Sequence, residues 1–374
     1  MNGHAVLTAA TDIAELIEAH ADEAERTRRL PPATVAALTE ADLMRLCVPV
    51  EYGGPEVDPM TLFEAIAIVS HADGAAGWCS MIASTTSSMA AYLPEEGAKE
   101  IYGSPAVVTG GVFAPNGAGR GAVGGFEVTG RWAWGSGTQH CHWVLGGVMC
   151  DDDTFRLCWF PQVDVTFHDT WWTGGMRGSG SLDYSVDGAV VPAYRTMQPG
   201  VTVPLVESAL ARFPSFTLLA AGVCAVGLGV ARRALDELID IAQGKKPQFS
   251  SRTLAQSGYT QIEVARAEAK LRSARAFLHE EVASAWGDAT AGRPVSIEQR
   301  TGIRMAAVHA ATTATEVADV SFTLAGGTAV YDTSVLGRCL RDAHVVTQHI
   351  QTAPKLNETI GKLILGQSAD TSMF

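Results

Sequence analysis

Gly130-Arg-Trp-Ala-Trp-Gly-Ser-Gly-Thr-Gln-His-Cys-His-Trp143 carries three tryptophans, two histidines and the hydroxyl of Ser136 within fourteen residues. Aromatic density of this kind favours a strand, and Gly135 and Gly137 bend it or admit close approach of a ligand to the backbone. A flat, largely apolar ligand with a few polar edge atoms suits such a place. The plain alternative is a Trp-rich core strand of a small β-domain, because aromatic anchors are core by default.

Working outward, residues 105–200 read as short strands at 107–113, 125–134, 143–149, 155–160, 163–167 and 181–191. Gly, Pro, Asn and Asp clusters separate them, as in an antiparallel barrel or sandwich. Gly117-Ala-Gly119-Arg-Gly121-Ala122 looks like a dinucleotide fingerprint, but a strand follows it and not a helix, so it reads as a hairpin loop. Asp151-Asp152-Asp153 reads as a solvated turn and no metal site is expected, since no further ligands flank it.

Residues 1–104 are helical by pattern. Ile13, Leu16, Ile17, Ala21 and Ala24 recur at helical spacing behind Asp12 as N-cap, and Pro31-Pro32 opens a second helix. Two more are predicted at 59–70 and 75–92, the last rich in small residues that point to close packing. Residues 201–374 carry long apolar stripes at 216–241, 261–286, 297–324 and 342–364, an up-down bundle able to associate with copies of itself. The fold class is therefore α+β, mainly α: a helical N-terminal domain, a small β-domain and a four-helix bundle.

A formal net charge of −13 with no offsetting basic stripe argues against nucleic acid and against anionic membrane surfaces. The seven cysteines are scattered and contain no C-x-x-C pair, so free thiols in a reducing cytoplasm are expected. No basic stretch followed by an apolar run opens the chain, and a soluble protein is expected.

Several stretches, in order, resemble the acyl-CoA dehydrogenase superfamily. They are 43–58 with its Glu-Tyr-Gly-Gly, the flavin strand at 130–143 (Trp134 at the family Trp, Ser136 at the family Thr), Gly175-Met-Arg177-Gly178-Ser179 through Val190-Val-Pro192, Gln248-Phe249, Ala325-Gly326-Gly327 and Arg341-Asp342-Ala343. Dehydrogenases of that family need a carboxylate base, yet its two usual positions align with Ile350 (Gln351 next) and Phe216, which cannot serve. Glu207 would supply a base only through a slipped alignment.

The run Arg341-Asp-Ala-His344-Val-Val-Thr-Gln-His349, with Phe113-Ala-Pro-Asn-Gly117 and Ser136-Gly-Thr-Gln-His140-Cys-His142-Trp143, resembles instead the superfamily's flavin-dependent monooxygenases. That resemblance implies an oxygenase component supplied with reduced flavin (FADH2 or FMNH2) by a separate reductase, forming a C4a-hydroperoxide that passes oxygen to a small aromatic or polyketide-like substrate. It implies His349 and Ser136 as catalytic residues, His349 near the flavin's reactive edge and Ser136 beside N5. Among flavin-binding residues it implies Trp134, Arg177, Ser179, Lys246 with Arg252 as alternative, Phe249 near the adenine and Gly326-Gly327 near the phosphates. A lysine lacks the arginine fork, so the flavin is expected to be held loosely, or FMN preferred.

The superfamily's shared flavin site implies a homotetramer. A histidine titrates near neutrality, so His349 is a candidate to deprotonate a phenol or orient the oxygen donor. His344, His140 and His142 read as structural or flavin-flanking. Some aromatic hydroxylases of the branch have a histidine where this chain has Thr85-Thr86-Ser87-Ser88. A desaturase with a relocated base and a silent scaffold are the competing readings.

Overall fold

The computed structural model describes residues 2–374. Six helices lead: α1 (Gly3–Asp12), α2 (Ala14–Thr27), α3 (Pro32–Glu40), α4 (Pro59–Ala72), α5 (Gly74–Ser87) and α6 (Glu95–Tyr102). Asp12 ends α1 instead of capping a helix; Asn2 caps α1, its side chain accepting from Ala5 N at 2.9 Å. Asp58 and Asp73 cap α4 and α5, each carboxylate taking up amides left free at a helix start. The small residues of α5 pack against the bundle. The Thr85, Ser87 and Ser88 hydroxyls donate back to carbonyls of their own helix.

Seven strands follow: β1 (Thr109–Ala122), β2 (Gly125–Gly135), β3 (Trp143–Cys150), β4 (Phe155–Pro161), β5 (Thr166–His168), β6 (Leu182–Pro192) and β7 (Thr196–Met197). They form one sheet in the order β5-β6-β2-β1-β3-β4-β7. All pairs are antiparallel except β1 with β3, a departure from the wholly antiparallel expectation. The parallel pair arises because β2 turns back along one edge of β1 and the chain then crosses to the other edge. Gly117–Ala122 is strand, not a hairpin loop, and the turn lies at Val123-Gly124. Glycine is needed at Gly117 on β1 and at Gly146 on β3 because the Trp132 ring fills the space: a Cβ on either would meet it at 2.6 Å.

Strict alternation along β2 would put Trp132 and Trp134 on one face. A register shift between Trp132 and Gly135, with Trp134 at φ +65°, breaks it. Trp132 is consequently fully buried, stacked on Tyr184 and donating from Nε1 to Gly147 O at 2.9 Å, whereas Trp134 is 73% exposed. Trp132 is core, not the wall of a pocket.

The C-terminal part holds α7 (Ala209–Arg212), α8 (Ser215–Gly244), α9 (Gly258–Thr290), α10 (Ile297–Ala325), α11 (Val335–Val346) and α12 (Leu356–Ile364). Helix α8 is long and apolar enough to cross a membrane by length alone, but 78% of its apolar window is buried inside the protein, against α4, α5, α10 and α11. The single helix expected over 342–364 is two. Thr347 and Thr352 hydroxyls take up the carbonyls of His344 and Val346, and Pro354 forbids continuation. His349 therefore sits in a buried-side turn and not on a helix face.

Candidate active site

Ser136, on the bend after β2, is buried and joins a chain of hydroxyls. Its Oγ accepts from Trp78 Nε1 at 2.9 Å and lies 2.7 Å from Ser181 Oγ, which lies 2.7 Å from Ser179 Oγ. Ser179 Oγ donates to Met176 O at 2.7 Å. A carbonyl only accepts, so this last bond sets the direction of the whole chain. Ser179 must accept from Ser181, and Ser181 from Ser136. Ser136 thus spends its proton inward, gives one lone pair to Trp78, and keeps a second lone pair able to accept an N–H. Gly137 N donating to Ser179 O at 2.9 Å ties the two bends together.

The end of this chain is fixed from the bundle. Met176 adopts φ +49°, a strained backbone for a long side chain, and its N–H donates to Asp342 Oδ1 at 2.5 Å. Burial raises Asp342 to about 7, with Asp73 and Glu25 adding to the rise and the Met176 amide and Arg338 opposing it. The raised value means the neutral acid is favoured in the fold. Its stability contribution is complete below the unfolded pKa near 4 and is lost as pH rises through about 7. Asp342→Asn keeps an acceptor but never ionises, so its Tm relative to wild type should improve by roughly a few degrees between pH 5 and pH 8. Thermal melts across that range check this; an advantage that shrinks with pH would contradict it.

His349 packs on the same Trp78, its ring edge-on to the indole with centroids 5.5 Å apart. Burial, assisted by the charge of Arg304, lowers its pKa to about 4. Its Nδ1 accepts from Gln351 N at 3.3 Å, so the proton of the neutral ring is on Nε2. At neutral pH His349 is therefore uncharged and a hydrogen-bond donor through Nε2, which favours the second of its two candidate roles, orienting the oxygen donor. His140 is also lowered to about 4, by burial and then by His142, whose Nδ1 accepts from Val108 N at 3.1 Å. His344 pairs with Asp319 at 3.1 Å on the surface.

Of the two positions where the family's base would stand, Ile350 is exposed, while Phe216 and the Gln351 next to Ile350 meet at one arginine. Phe216 O and Gln351 both bind Arg304, which is 1% exposed on α10. Glu207 is exposed in the loop before α7. Trp78, Ser181 and Arg304 were not foreseen from the sequence. Each acts through a partner 45 or more residues away, and only the indole of Trp78, amid small residues, was a usable signal.

The other flavin-binding candidates form a second group. Lys246, Phe249, Arg252, Gly326 and Gly327 are all exposed, Phe249 completely and at φ +64°. Lys245, not Lys246, links their two loops, its Nζ donating to Ala325 O and, at 2.6 Å, to Thr328 Oγ1. Arg177, one residue after Met176, has a buried Nε with no partner. The Nε atoms of Arg45, Arg233 and Arg300 are unpartnered too, so the sign that fits a bound flavin better than a finished surface is the pair of large aromatics, Trp134 and Phe249, displayed at positive φ. No cluster of metal-ligating side chains occurs among the described residues.

The family profile "Acyl-CoA dehydrogenase, N-terminal domain" matches residues 5–102, and "Acyl-CoA dehydrogenase, C-terminal domain" matches residues 221–354. An indole-3-acetate monooxygenase of Pseudomonas putida is 37% identical over 92% of this chain and 90% of its own. The flavin-dependent monooxygenase oxygenase subunit HsaA of Rhodococcus jostii is 30% identical over 90% and 91%. The crystal structure of 3-HSA hydroxylase from Rhodococcus sp. RHA1 superposes with a TM-score of 0.92 at 27% identity, over 99% of this chain and 98% of that one. The chain belongs to the acyl-CoA dehydrogenase family. Within it, the protein is a flavin-dependent monooxygenase, an oxygenase component working with reduced flavin.

Proposed function

We propose that this oxygenase inserts one oxygen atom from O2 into a small aromatic substrate, with Ser136 and His349 as its catalytic residues. The observation that carries the assignment is the directed hydroxyl chain. It leaves Ser136 Oγ an acceptor beside Trp78, with the donor His349 packed edge-on against the same indole. Reduced flavin supplies the activation of O2. Ser136 would accept the N5 hydrogen and hold it in place, while the Trp78 wall keeps water away. His349 Nε2–H would orient the oxygen acceptor. The aromatic substrate class is supported by the relative named for indole-3-acetate. A separate reductase as partner is supported by the "oxygenase subunit" in the name of HsaA. Buried free thiols support a reducing, cytoplasmic setting.

Incubation with reduced flavin, 18O2 and a panel of small aromatics tests the reaction. One 18O atom per product molecule, formed only when reduced flavin is supplied, is expected. Anaerobic bleaching of oxidised flavin by acyl-CoA thioesters, without 18O transfer, would replace this reading with the desaturase.

The exposed group at Lys246, Phe249, Arg252, Gly326 and Gly327, with exposed Val330 and Tyr331 beside it, is assigned to a flavin shared between subunits of a homotetramer. Phe249 would cover the adenine, with Lys246 or Arg252 at the phosphates. Light scattering should give about four times the 39.4 kDa chain mass. A monomer with full flavin affinity would refute the shared site.

A further inference from the structure

Two arginines among the described residues are buried to within a few per cent, and their surroundings differ. Arg45 has the Asp42 carboxylate at 3.6 Å. Arg304 has no carboxylate partner. Its Nη1 donates to Gln351 O at 3.0 Å and to Gln351 Oε1, and its Nη2 to Phe216 O at 3.5 Å and to Met373 O. The Phe374 ring lies 5.1 Å from Cζ. Burial lowers its pKa only to about 10, the Cys224 thiol being the one titratable group that favours its charge, so it stays a cation at neutral pH. A buried cation held by neutral dipoles alone keeps much of its desolvation cost. Salt bridges elsewhere relieve that cost, as at Arg195–Glu100, Arg233–Glu18 and Arg338–Asp22.

The position of this uncompensated charge is not arbitrary. It touches Phe216 and Gln351, and Gln351 N in turn binds His349. Three of its acceptors belong to the bundle itself. The fourth, Met373 O, comes from the segment after α12, where residues 365–374 contain no helix or strand. That segment is the part of the shell an incoming anion can displace without unfolding a helix.

We infer that Arg304 is a specificity-determining residue that binds the anionic group of the substrate, which makes the substrate class a small aromatic monocarboxylate. The inference rests on the oxygenase reading above. The carboxylate replaces Met373 O on the guanidinium, exchanging a neutral acceptor for a charge-assisted one. The aromatic ring then lies toward His349 and Trp78, with the acid at the Phe216–Gln351 end. A guanidinium suits this task better than an ammonium because its planar fork matches both carboxylate oxygens.

The test compares indole-3-acetate with indole-3-acetamide, which keeps size and shape and removes the charge. Binding is measured by calorimetry on wild type, Arg304→Gln and Arg304→Lys with oxidised flavin present, followed by KM in turnover. Wild type should bind the acid about tenfold or more tightly than the amide. Arg304→Gln should lose roughly ten- to a hundredfold for the acid and stay within about twofold for the amide; Arg304→Lys should fall between. No preference in wild type, or a preference unchanged in Arg304→Gln, overturns the inference. If Arg304→Gln does not fold, an undiminished acid preference in Arg304→Lys overturns it instead. Wild type that prefers the acid yet transfers no oxygen from O2 would sink the oxygenase reading and leave the anion site standing.

Discussion

Ser136→Ala should shorten the interval between O2 addition and the return of oxidised-flavin absorbance by about ten- to a hundredfold. That range corresponds to the roughly 1–3 kcal/mol of one lost hydrogen bond to a charged or developing-charge group. The shortening should appear with and without substrate, because in the proposed site the substituted atom would face the flavin and not the acceptor. Hydrogen peroxide should replace product, so coupling falls while total O2 consumption persists. The direction of the hydroxyl chain sharpens this expectation. Ser136 donates to Ser181 and accepts from Trp78, so alanine strands the Trp78 Nε1–H and frees the Ser181 acceptor. Ser136→Thr restores the oxygen and should recover most of the interval. Stopped-flow absorbance read beside peroxide and product yields checks both variants. An unchanged interval in Ser136→Ala would place the flavin N5 elsewhere.

The contrast between Ser136 and its partners shows what the sequence could reveal. Ser136 stood out because it sits in a tryptophan- and glycine-rich bend that resembles a known flavin strand. Ser179 and Ser181, 43 and 45 positions on, stood in a similar motif, but only the sheet pairing of β2 with β6 brings them to Ser136. Trp132 and Trp134 looked equivalent in the text. A bulge and one positive φ separate them into core and surface, and a bulge has no local signature stronger than a glycine. The long helices were legible because their apolar stripes repeat over many turns. The break after Val346 was not, although Pro354 was its signal, because the apolar pattern continues on both sides. Arg304 was invisible for a related reason. It is one of the two arginines of an apolar-striped helix, and only the convergence of α8, the 347–355 turn and the segment after α12 on α10 removes it from water.

His349→Ala should leave that interval near its wild-type length and lower product formation by about 10²–10³-fold, the usual cost of losing one donor aimed at developing charge. Peroxide then appears late, after a wild-type delay, whereas Ser136→Ala releases it early. Both uncouple, and only the timing separates them. Two chemical roles for this histidine predict different pH profiles. A base with an ordinary pKa would give a product-formation profile rising through about pH 6–7. Held at about 4 by burial and by Arg304, with Nδ1 engaged by Gln351 N, His349 is neutral throughout that range and contributes no inflection there. The same depression has a stability consequence of opposite sign to that of Asp342. The neutral ring's contribution is complete above about pH 6.5 and is lost as pH falls toward 4. His349→Gln keeps an N–H donor and should recover part of the product yield, and it should also remove part of the acid-side destabilisation seen in wild type. Product per flavin oxidised, measured from pH 6 to 8 for wild type, His349→Ala and His349→Gln, separates donor from base. A wild-type inflection near pH 6.5 that disappears in His349→Gln would return the histidine to the role of base.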